Sequence, residues 1–210
     1  STTGISLGAY NLTAGGDNTS TSYIGSITGS GSLTKIGTGN LTLSPGTGCS
    51  NTFSGGLIVN SGTVNGTGTG FGAGNIVLGD TSGSNGAMII NGFQGNLTNN
   101  ITVRAGSTGT LTIMANQVGN YTGTMALNNN LTLDNILAQG NNAQIQLRGA
   151  ITQANDTACT ITRGAVGNGT VAIYGGITLS SGGLTLANNA TGIYGFTISG
   201  GITGTGNLIL

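Results

Sequence analysis

Few side chains of this chain could take part in acid–base chemistry. There is no histidine, and the acidic residues are Asp17, Asp80, Asp134 and Asp156. A Ser-His-Asp or Cys-His arrangement therefore cannot form. The two cysteines are distant in sequence and no histidine accompanies them, so a zinc site is not expected either. The sequence predicts no catalytic residue, no metal ligand, no cofactor and no enzymatic activity.

One pair of aspartates has a spacing that could serve catalysis. Asp134 and Asp156 are 22 residues apart, a spacing that could stack them on one face of a β-helix. Polysaccharide lyases and hydrolases with this fold use clustered carboxylates to bind calcium or to act as acid and base. We favour the other interpretation, in which both aspartates are exposed turn residues that contribute little to stability.

The charge pattern argues against several classes of partner. Charged residues make up 4 % of the 210 positions and the formal net charge is zero, whereas ordinary domains carry about 25 % charge. The cations are Lys35, Arg104, Arg148 and Arg163. They form no basic patch, so no nucleic-acid partner is expected. No apolar run approaches the roughly 18 residues of a spanning helix, so this segment should not insert into a membrane.

Short strand patterns separated by turn residues recur along the chain. Apolar residues mostly alternate with polar ones in triplets, which indicates strands with one buried face. The triplets lie at 41–43, 57–59, 76–78, 88–90, 101–103, 111–113, 125–127, 131–133, 145–147, 171–173, 177–179 and 184–186. Gly, Asn, Ser and Asp lie between them, and strong helix formers are scarce. The pattern predicts an all-β fold.

Three features favour a solenoid over a sandwich or a barrel. The strands are short and uniform, and four Phe, five Tyr and no Trp are too few to fill a wide core. Segments also recur: Asn-Leu-Thr begins at Asn11, Asn40, Asn96 and Asn130, and paired asparagines occur at 99–100, 128–129, 141–142 and 188–189. In stacked coils, like residues lie above like and Asn side chains form ladders. We expect about nine coils of roughly 22 residues.

Residues 33–64 resemble a known repeat. The stretch 33–44 reads LTKIGTGNLTLS and the stretch 51–64 reads NTFSGGLIVNSGTV. Together they resemble the passenger-associated repeat of bacterial autotransporters. The matching positions are Leu33, Thr34, Lys35, Gly37, Gly39, Leu41, Thr42, Leu43, Ser44, Asn51, Phe53, Gly55, Gly56, Gly62 and Val64. Residues 45–50 are longer than the usual link of the family, so we expect a small loop there.

The resemblance implies a right-handed parallel β-helix (β-solenoid), extracellular or at the cell surface of a Gram-negative-type bacterium. We expect residues 1–210 to form a single solenoid segment, a fragment of a longer repetitive protein. ITGSGSL (27–33) returns as ITGTGNL (202–208), which is either chance in a Gly/Thr-rich chain or the sign that the chain is about one long unit of a tandem array. The expected function is structural: a stalk, filament or coat segment, adhesive to surface glycans or a receptor, that associates end to end with its own copies. The alternative is a carbohydrate-active or carbohydrate-binding β-helix domain.

The two cysteines are not expected to bond with each other. Cys49 and Cys159 are 110 residues apart, about five coils or roughly 24 Å along the axis, and a disulfide needs Cα atoms within about 7 Å. Cys159 alternates in phase with Ile161, which predicts a core position. Cys49 should be more exposed, and any disulfide it forms should join another chain.

Overall fold

The computed structural model describes residues 4–92, 96–116, 118–135, 144–165, 169–190 and 195–210. Within these ranges the chain forms strands of two to five residues and one 3₁₀ helix, Gly68–Phe71. The first strands are β1 (Ile5–Ser6), β2 (Leu12–Ala14), β3 (Thr21–Tyr23), β4 (Ile27–Thr28), β5 (Leu33–Lys35), β6 (Asn40–Leu43), β7 (Leu57–Val59), β8 (Gly62–Gly66), β9 (Ile76–Leu78), β10 (Ala87–Asn91), β11 (Asn96–Leu97) and β12 (Ile101–Val103). The others are β13 (Leu111–Ala115), β14 (Val118–Tyr121), β15 (Met125–Leu127), β16 (Leu131–Asn135), β17 (Gln144–Leu147), β18 (Ile151–Gln153), β19 (Cys159–Arg163), β20 (Thr170–Ile173), β21 (Ile177–Leu179), β22 (Leu184–Asn188), β23 (Phe196–Ile198), β24 (Ile202–Gly204) and β25 (Leu208–Ile209).

The strands stack into three long parallel sheets. Sheet 1 has the order β2-β5-β7-β9-β12-β15-β18-β21-β24, and sheet 2 has the order β3-β6-β8-β10-β13-β16-β19-β22-β25. Sheet 3 has the order β11-β14-β17-β20-β23, and β1 pairs separately with β4. From β9 onwards the chain visits sheets 1, 2 and 3 in turn, which makes a three-sided parallel β-solenoid, whereas β5 to β8 alternate between sheets 1 and 2. The predicted fold is confirmed, and the nine described strands of each longer sheet agree with the prediction of about nine coils.

The coils stack in register, with apolar residues above apolar residues. In sheet 1, Leu57 pairs with Ile76 and Met125 pairs with Ile151, so successive coils there contain from 19 to 26 residues. Parallel strands lie about 4.8 Å apart whatever the coil length. The extra residues of the longer coils must therefore be accommodated in the corners between sheets.

The inward positions form a narrow apolar core. Most strands alternate buried and half-buried residues. In Leu57–Val59, for example, the first and last residues point into the core and are 0 % exposed. Fully burying each such side chain stabilises the fold by about 1.5 to 3 kcal/mol. All the strand triplets predicted from the sequence lie in strands. The sequence did not predict strands of mixed polarity, such as Val118–Tyr121.

The recurrent Asn-Leu-Thr segments do not stack on one another as the sequence suggested. Asn40 opens β6 in sheet 2 and Asn96 opens β11 in sheet 3, whereas Asn11 precedes β2 of sheet 1. The asparagine pair at 141–142 lies outside the described residues. Ile27 and Ile202, which begin the two similar heptapeptides, also belong to different ladders. These segments recur because an Asn followed by Leu-Thr suits the start of a strand, and not because they repeat with the period of the coil.

Corner asparagines bind the backbone of the next coil instead. The Oδ1 atom of Asn100 accepts a hydrogen bond from the backbone N–H of Thr124 at 2.9 Å, and Asn130 does the same for Thr160 at 2.8 Å. The backbone ladder is interrupted between sheets, so the donors there need side-chain or solvent partners. These side chains therefore extend coil-to-coil bonding around the corners.

The predicted loop and the predicted cysteine environments are confirmed. Residues 44–50 contain no strand, and the backbone N–H of Cys49 closes a turn on Gly46 O at 2.8 Å. Cys159 is 2 % exposed and in phase with Ile161, whereas Cys49 is half-buried. No disulfide joins the two. Burial raises the pKa of the Cys159 thiol, against the opposing effect of a hydrogen bond with Gln153.

A glycine column forms the corner between sheets 3 and 1. It consists of residues that each lie shortly after the end of a strand of sheet 3: Gly123, Gly149, Gly175 and Gly200. A Cβ atom on any of the last three would overlap the carbonyl oxygen of the glycine one coil earlier. The backbones of successive coils approach too closely there for any side chain.

We predict that Gly175→Ala destabilises the solenoid by about 1 to 3 kcal/mol, because the added methyl group must displace the neighbouring backbone. Gly201→Ala is the matched control, since its Cβ atom would meet nothing within 4 Å. Urea unfolding followed by circular dichroism measures both. Equal midpoints for the two variants would contradict the close stacking of this corner.

Candidate functional site

The structure separates the two aspartates that could have formed a catalytic pair. Asp134 lies in β16, where the register pairs it with Met114 of the preceding coil, and Arg163 of the following coil pairs with Leu133. Asp156 lies in an exposed bend before β19. The two carboxylates therefore do not stack on one face.

The prediction that Asp134 is an exposed turn residue was wrong. Asp134 is 8 % exposed and Arg163 is 3 % exposed. The Arg163 guanidinium donates from Nε to Gly169 O at 2.6 Å and from Nη1 to Gly164 O at 3.1 Å. Burial lowers the pKa of Arg163, and attraction to Asp134 opposes that shift. The strand alternation alone could not indicate this environment, because Asp134 follows an inward leucine.

The space beside Asp134 and Arg163 is too small for a sugar. It measures about 10 Å³ and is lined in part by Asn135 and Thr170, which is room for about one water molecule. The backbone N–H of Asn135 also donates to the Asp134 carboxylate at 3.0 Å. In this cluster the attraction between Asp134 and Arg163 acts between two adjacent coils, and the space beside them is not a substrate cleft.

A second buried charge lies inside the passenger-type repeat. Lys35 is 1 % exposed and points inward from β5, in the same column as Ala14 and Val59. Its Nζ atom donates to Ile36 O at 2.6 Å, to Gly37 O at 2.7 Å and to Ser61 O at 3.4 Å. Three backbone carbonyl groups thus solvate the ammonium group where water cannot.

The glycines of the repeat make the space that Lys35 fills. Gly37 and Gly62 have φ angles of 69° and 70°, values that favour glycine. A Cβ atom on Gly62 would lie 2.8 Å from Lys35 Nζ. The Lys-x-Gly pattern therefore describes one structural unit. Strict alternation from Leu33 through Thr34 was the sequence signal that could have placed Lys35 in the core.

Burial and the surrounding groups set the proton affinity of Lys35. Burial lowers the pKa of its ammonium group, and a weaker attraction to Asp17 raises it. The exposed Asp17 carboxylate is bound by the side chain and backbone of Thr19, which lower its pKa. Lys35 is therefore a structural cation and not an exposed nucleophile or binding group.

The outer face of sheet 3 collects amide side chains beside an exposed cation and an aromatic ring. Gln146 Nε2 donates to Gln144 Oε1 at 2.8 Å, and Arg148 Nη2 donates to Gln146 Oε1 at 2.6 Å. Arg148 Nε also approaches Asn120 Oδ1 at 3.3 Å. The guanidinium lies over the Tyr174 ring, 4.9 Å from the centroid. None of these side chains was singled out by the sequence.

The described part of the chain contains no group of three or more metal-binding side chains. Its residues also form no α-helix long and apolar enough to cross a membrane.

The fold and the Lys35 unit define this chain as a parallel β-solenoid built on glycine-rich coils. The family model described as passenger-associated-transport-repeat matches residues 33–65. The chain therefore carries a repeat of the autotransporter passenger type, in agreement with the resemblance seen in its sequence, and such repeats indicate a secreted or cell-surface protein. No curated protein and no solved structure matches the chain.

Asp134→Asn should destabilise the fold by about 3 kcal/mol, because it leaves the charge of Arg163 buried without a carboxylate. Asp156→Asn should change stability by less than about 0.5 kcal/mol, as an exposed bend residue does. Chemical denaturation compares the two variants. If Asp134→Asn proved as stable as Asp156→Asn, the buried charge pair would have no stabilising role.

Lys35→Met should destabilise the fold by about 1 to 3 kcal/mol, because carbonyl groups lose a buried donor. Thr34→Val, on the outer side of the same strand, is the control and should have a small effect.

The pH dependence of stability is a second measurement of the state of Lys35. Between the lowered pKa of folded Lys35 and its ordinary value of 10.5, the unfolded chain binds more protons, so stability rises with pH.

The pH slope of stability should be larger for the wild type than for Lys35→Met in that alkaline window. Burial raises the pKa of Tyr121 in both proteins, and its opposing contribution cancels in the comparison. Identical slopes for the two proteins would show that folding does not lower the pKa of Lys35.

Proposed function

We propose that this chain is a structural segment of a surface protein of a Gram-negative-type bacterium, extracellular and without catalytic activity. The observation that carries the proposal is the unbroken parallel stacking of sheets 1 and 2 around a passenger-type repeat. Each coil adds about 4.8 Å of length, and each coil is stabilised by contacts with its neighbouring coils. Such a segment acts as a rigid stalk, filament or coat element.

The outer surface suits a role in contact with water and neighbouring surfaces. In sheet 1 the outward column places Thr152 beside Thr178 and Thr178 beside Thr203, and the last two hydroxyl groups are 3.5 Å apart. Hydroxyl and amide groups form hydrogen bonds without the salt dependence of charged surfaces. We propose that the segment also adheres to surface glycans or a receptor, through neutral polar contacts supplemented by a few charges.

The last described coil exposes apolar groups that another coil could cover. Ile202 of β24 is 44 % exposed and Ile209 of β25 is 58 % exposed. Phe196 and Ile198 border the same open end together with Leu210. We propose that a second copy of the chain stacks on this end, which is a head-to-tail contact that builds filaments when it does not close.

Antibody accessibility tests the proposed location. Antibodies against the segment should label intact, unpermeabilised cells that make the full protein. Labelling that appears only after permeabilisation would overturn the proposal of a surface protein. Failure of the purified segment to cleave a panel of polysaccharides is expected. Cleavage that is lost in Asp134→Asn while circular dichroism shows that variant to be folded would instead establish the enzymatic alternative.

The end-to-end contact should be sensitive to Ile202→Lys. A lysine at this position places a charge in the open end of the core, so we expect shorter assemblies by electron microscopy and sedimentation. Thr152→Lys adds the same charge to the outer side of sheet 1 and should leave assembly unchanged. Monomeric wild-type protein at high concentration would contradict the proposed self-association.

A further inference from the structure

The outer face of sheet 3 carries an exposed guanidinium that no acidic residue neutralises among the described residues. The side chains that bind Arg148 are the neutral amides of Gln146 and Asn120. These bonds engage Nε–H and one Nη2 hydrogen. A guanidinium has five N–H donors, so three of them, two on Nη1, have no hydrogen-bond partner among the described residues.

Arg148 differs in this respect from the other cations of the chain. Lys35 and Arg163 are buried within the stack. Arg104 is half-buried at the end of a sheet 1 strand, where its Nη1 atom approaches Asn60 Oδ1 at 3.5 Å. Arg148 is exposed and stacked on an aromatic ring, an arrangement that fixes the guanidinium plane and leaves its edge open.

Tyr174 places an aromatic surface next to this cation. The residue lies one coil after Arg148, since the backbone N–H groups of both donate to the preceding coils, from Arg148 to Tyr121 O and from Tyr174 to Leu147 O. Tyr174 is 43 % exposed. Stacking under a guanidinium contributes about 0.5 to 1 kcal/mol at an exposed site and holds the tyrosine in position.

The corner beside this pair is nearly free of side chains. Gly149 and Ala150 follow Arg148, and Gly175 and Gly176 follow Tyr174. The glycine column admits no Cβ atom at its stacked positions. On the corner side, therefore, only small residues border Arg148 and Tyr174.

We propose that Arg148, Tyr174 and the amides of Gln146 and Asn120 bind an acidic saccharide, a sugar chain that bears carboxylate groups. The guanidinium edge matches a carboxylate, the exposed part of the tyrosine ring that the guanidinium does not cover adds apolar surface for a sugar ring, and the amides and the glycine carbonyls can bond hydroxyl groups. This proposal deepens the adhesive part of the proposed function by naming its ligand class and site.

Other ligand classes fit this surface less well. A peptide that adds a strand needs an unpaired sheet edge, and β17 and β20 are each paired on both sides. Nucleic-acid binding draws on several phosphate contacts, and a single exposed arginine supplies too few. A saccharide instead needs one charge contact, an aromatic surface and many neutral hydrogen-bonding groups.

Isothermal titration with a galacturonic acid pentamer tests the proposal, with its methyl ester as the uncharged probe of equal length. The wild type should bind the acid at low salt and bind the ester at least tenfold more weakly. Arg148→Gln and Tyr174→Ala should each weaken binding of the acid about tenfold or more, while Arg104→Gln leaves it unchanged. Circular dichroism and melting curves verify that each variant is folded.

Several outcomes would overturn the proposal. These are equal binding of acid and ester, wild-type affinity in Arg148→Gln, or an equal loss in Arg104→Gln. Binding of an aspartate-rich peptide as tight as that of the saccharide would show general carboxylate attraction and would also overturn it. None of these results affects surface labelling or filament formation, so a failure here is distinguishable from a failure of the proposed structural function.

Discussion

Backbone hydrogen bonding between successive coils is the interaction on which the rest of this structure depends. All the described strand pairs are parallel and in register, so each coil both completes the coil before it and prepares the edge for the next. An edge strand leaves a row of unpaired donors and acceptors, and stacking satisfies them. Stability is then close to a sum over coils and their interfaces, which explains how a narrow aliphatic core with almost no charge is sufficient.

The same stacking restricts what the corners can contain. Successive backbones approach so closely at Gly149 and Gly175 that no Cβ atom fits, while Asn100 and Asn130 replace missing ladder bonds with side-chain bonds. Gly and Asn are therefore abundant because the chain must turn from one sheet to the next after each short strand. The buried Lys35 has a similar role, because its ammonium group donates hydrogen bonds to backbone carbonyl groups at the end of a strand.

The exterior of the solenoid, by contrast, is free to vary, and this is where binding would evolve. An outward side chain of a stacked strand is constrained only by the side chains at the same position in the two adjacent coils. Sheet 3 uses that freedom to assemble Gln146, Arg148 and Tyr174 from two coils. A rigid stack can hold such groups at fixed spacing without a pocket, which suits recognition of an extended chain and not catalysis on an enclosed substrate.

The sequence by itself determined the all-β class, the apolar triplets that became strands, the loop at 45–50 and the passenger-type repeat, because alternation and turn chemistry are local properties. Only the tertiary structure decided which residues lie above one another, because coil length varies and register is set by packing. That is why Asp134 lies beside Arg163 and not Asp156, why Lys35 lies in the core, and why the four recurrent Asn-Leu-Thr segments are spread over three sheets. Contacts between coils join residues about 20 to 30 positions apart, beyond the reach of any local pattern.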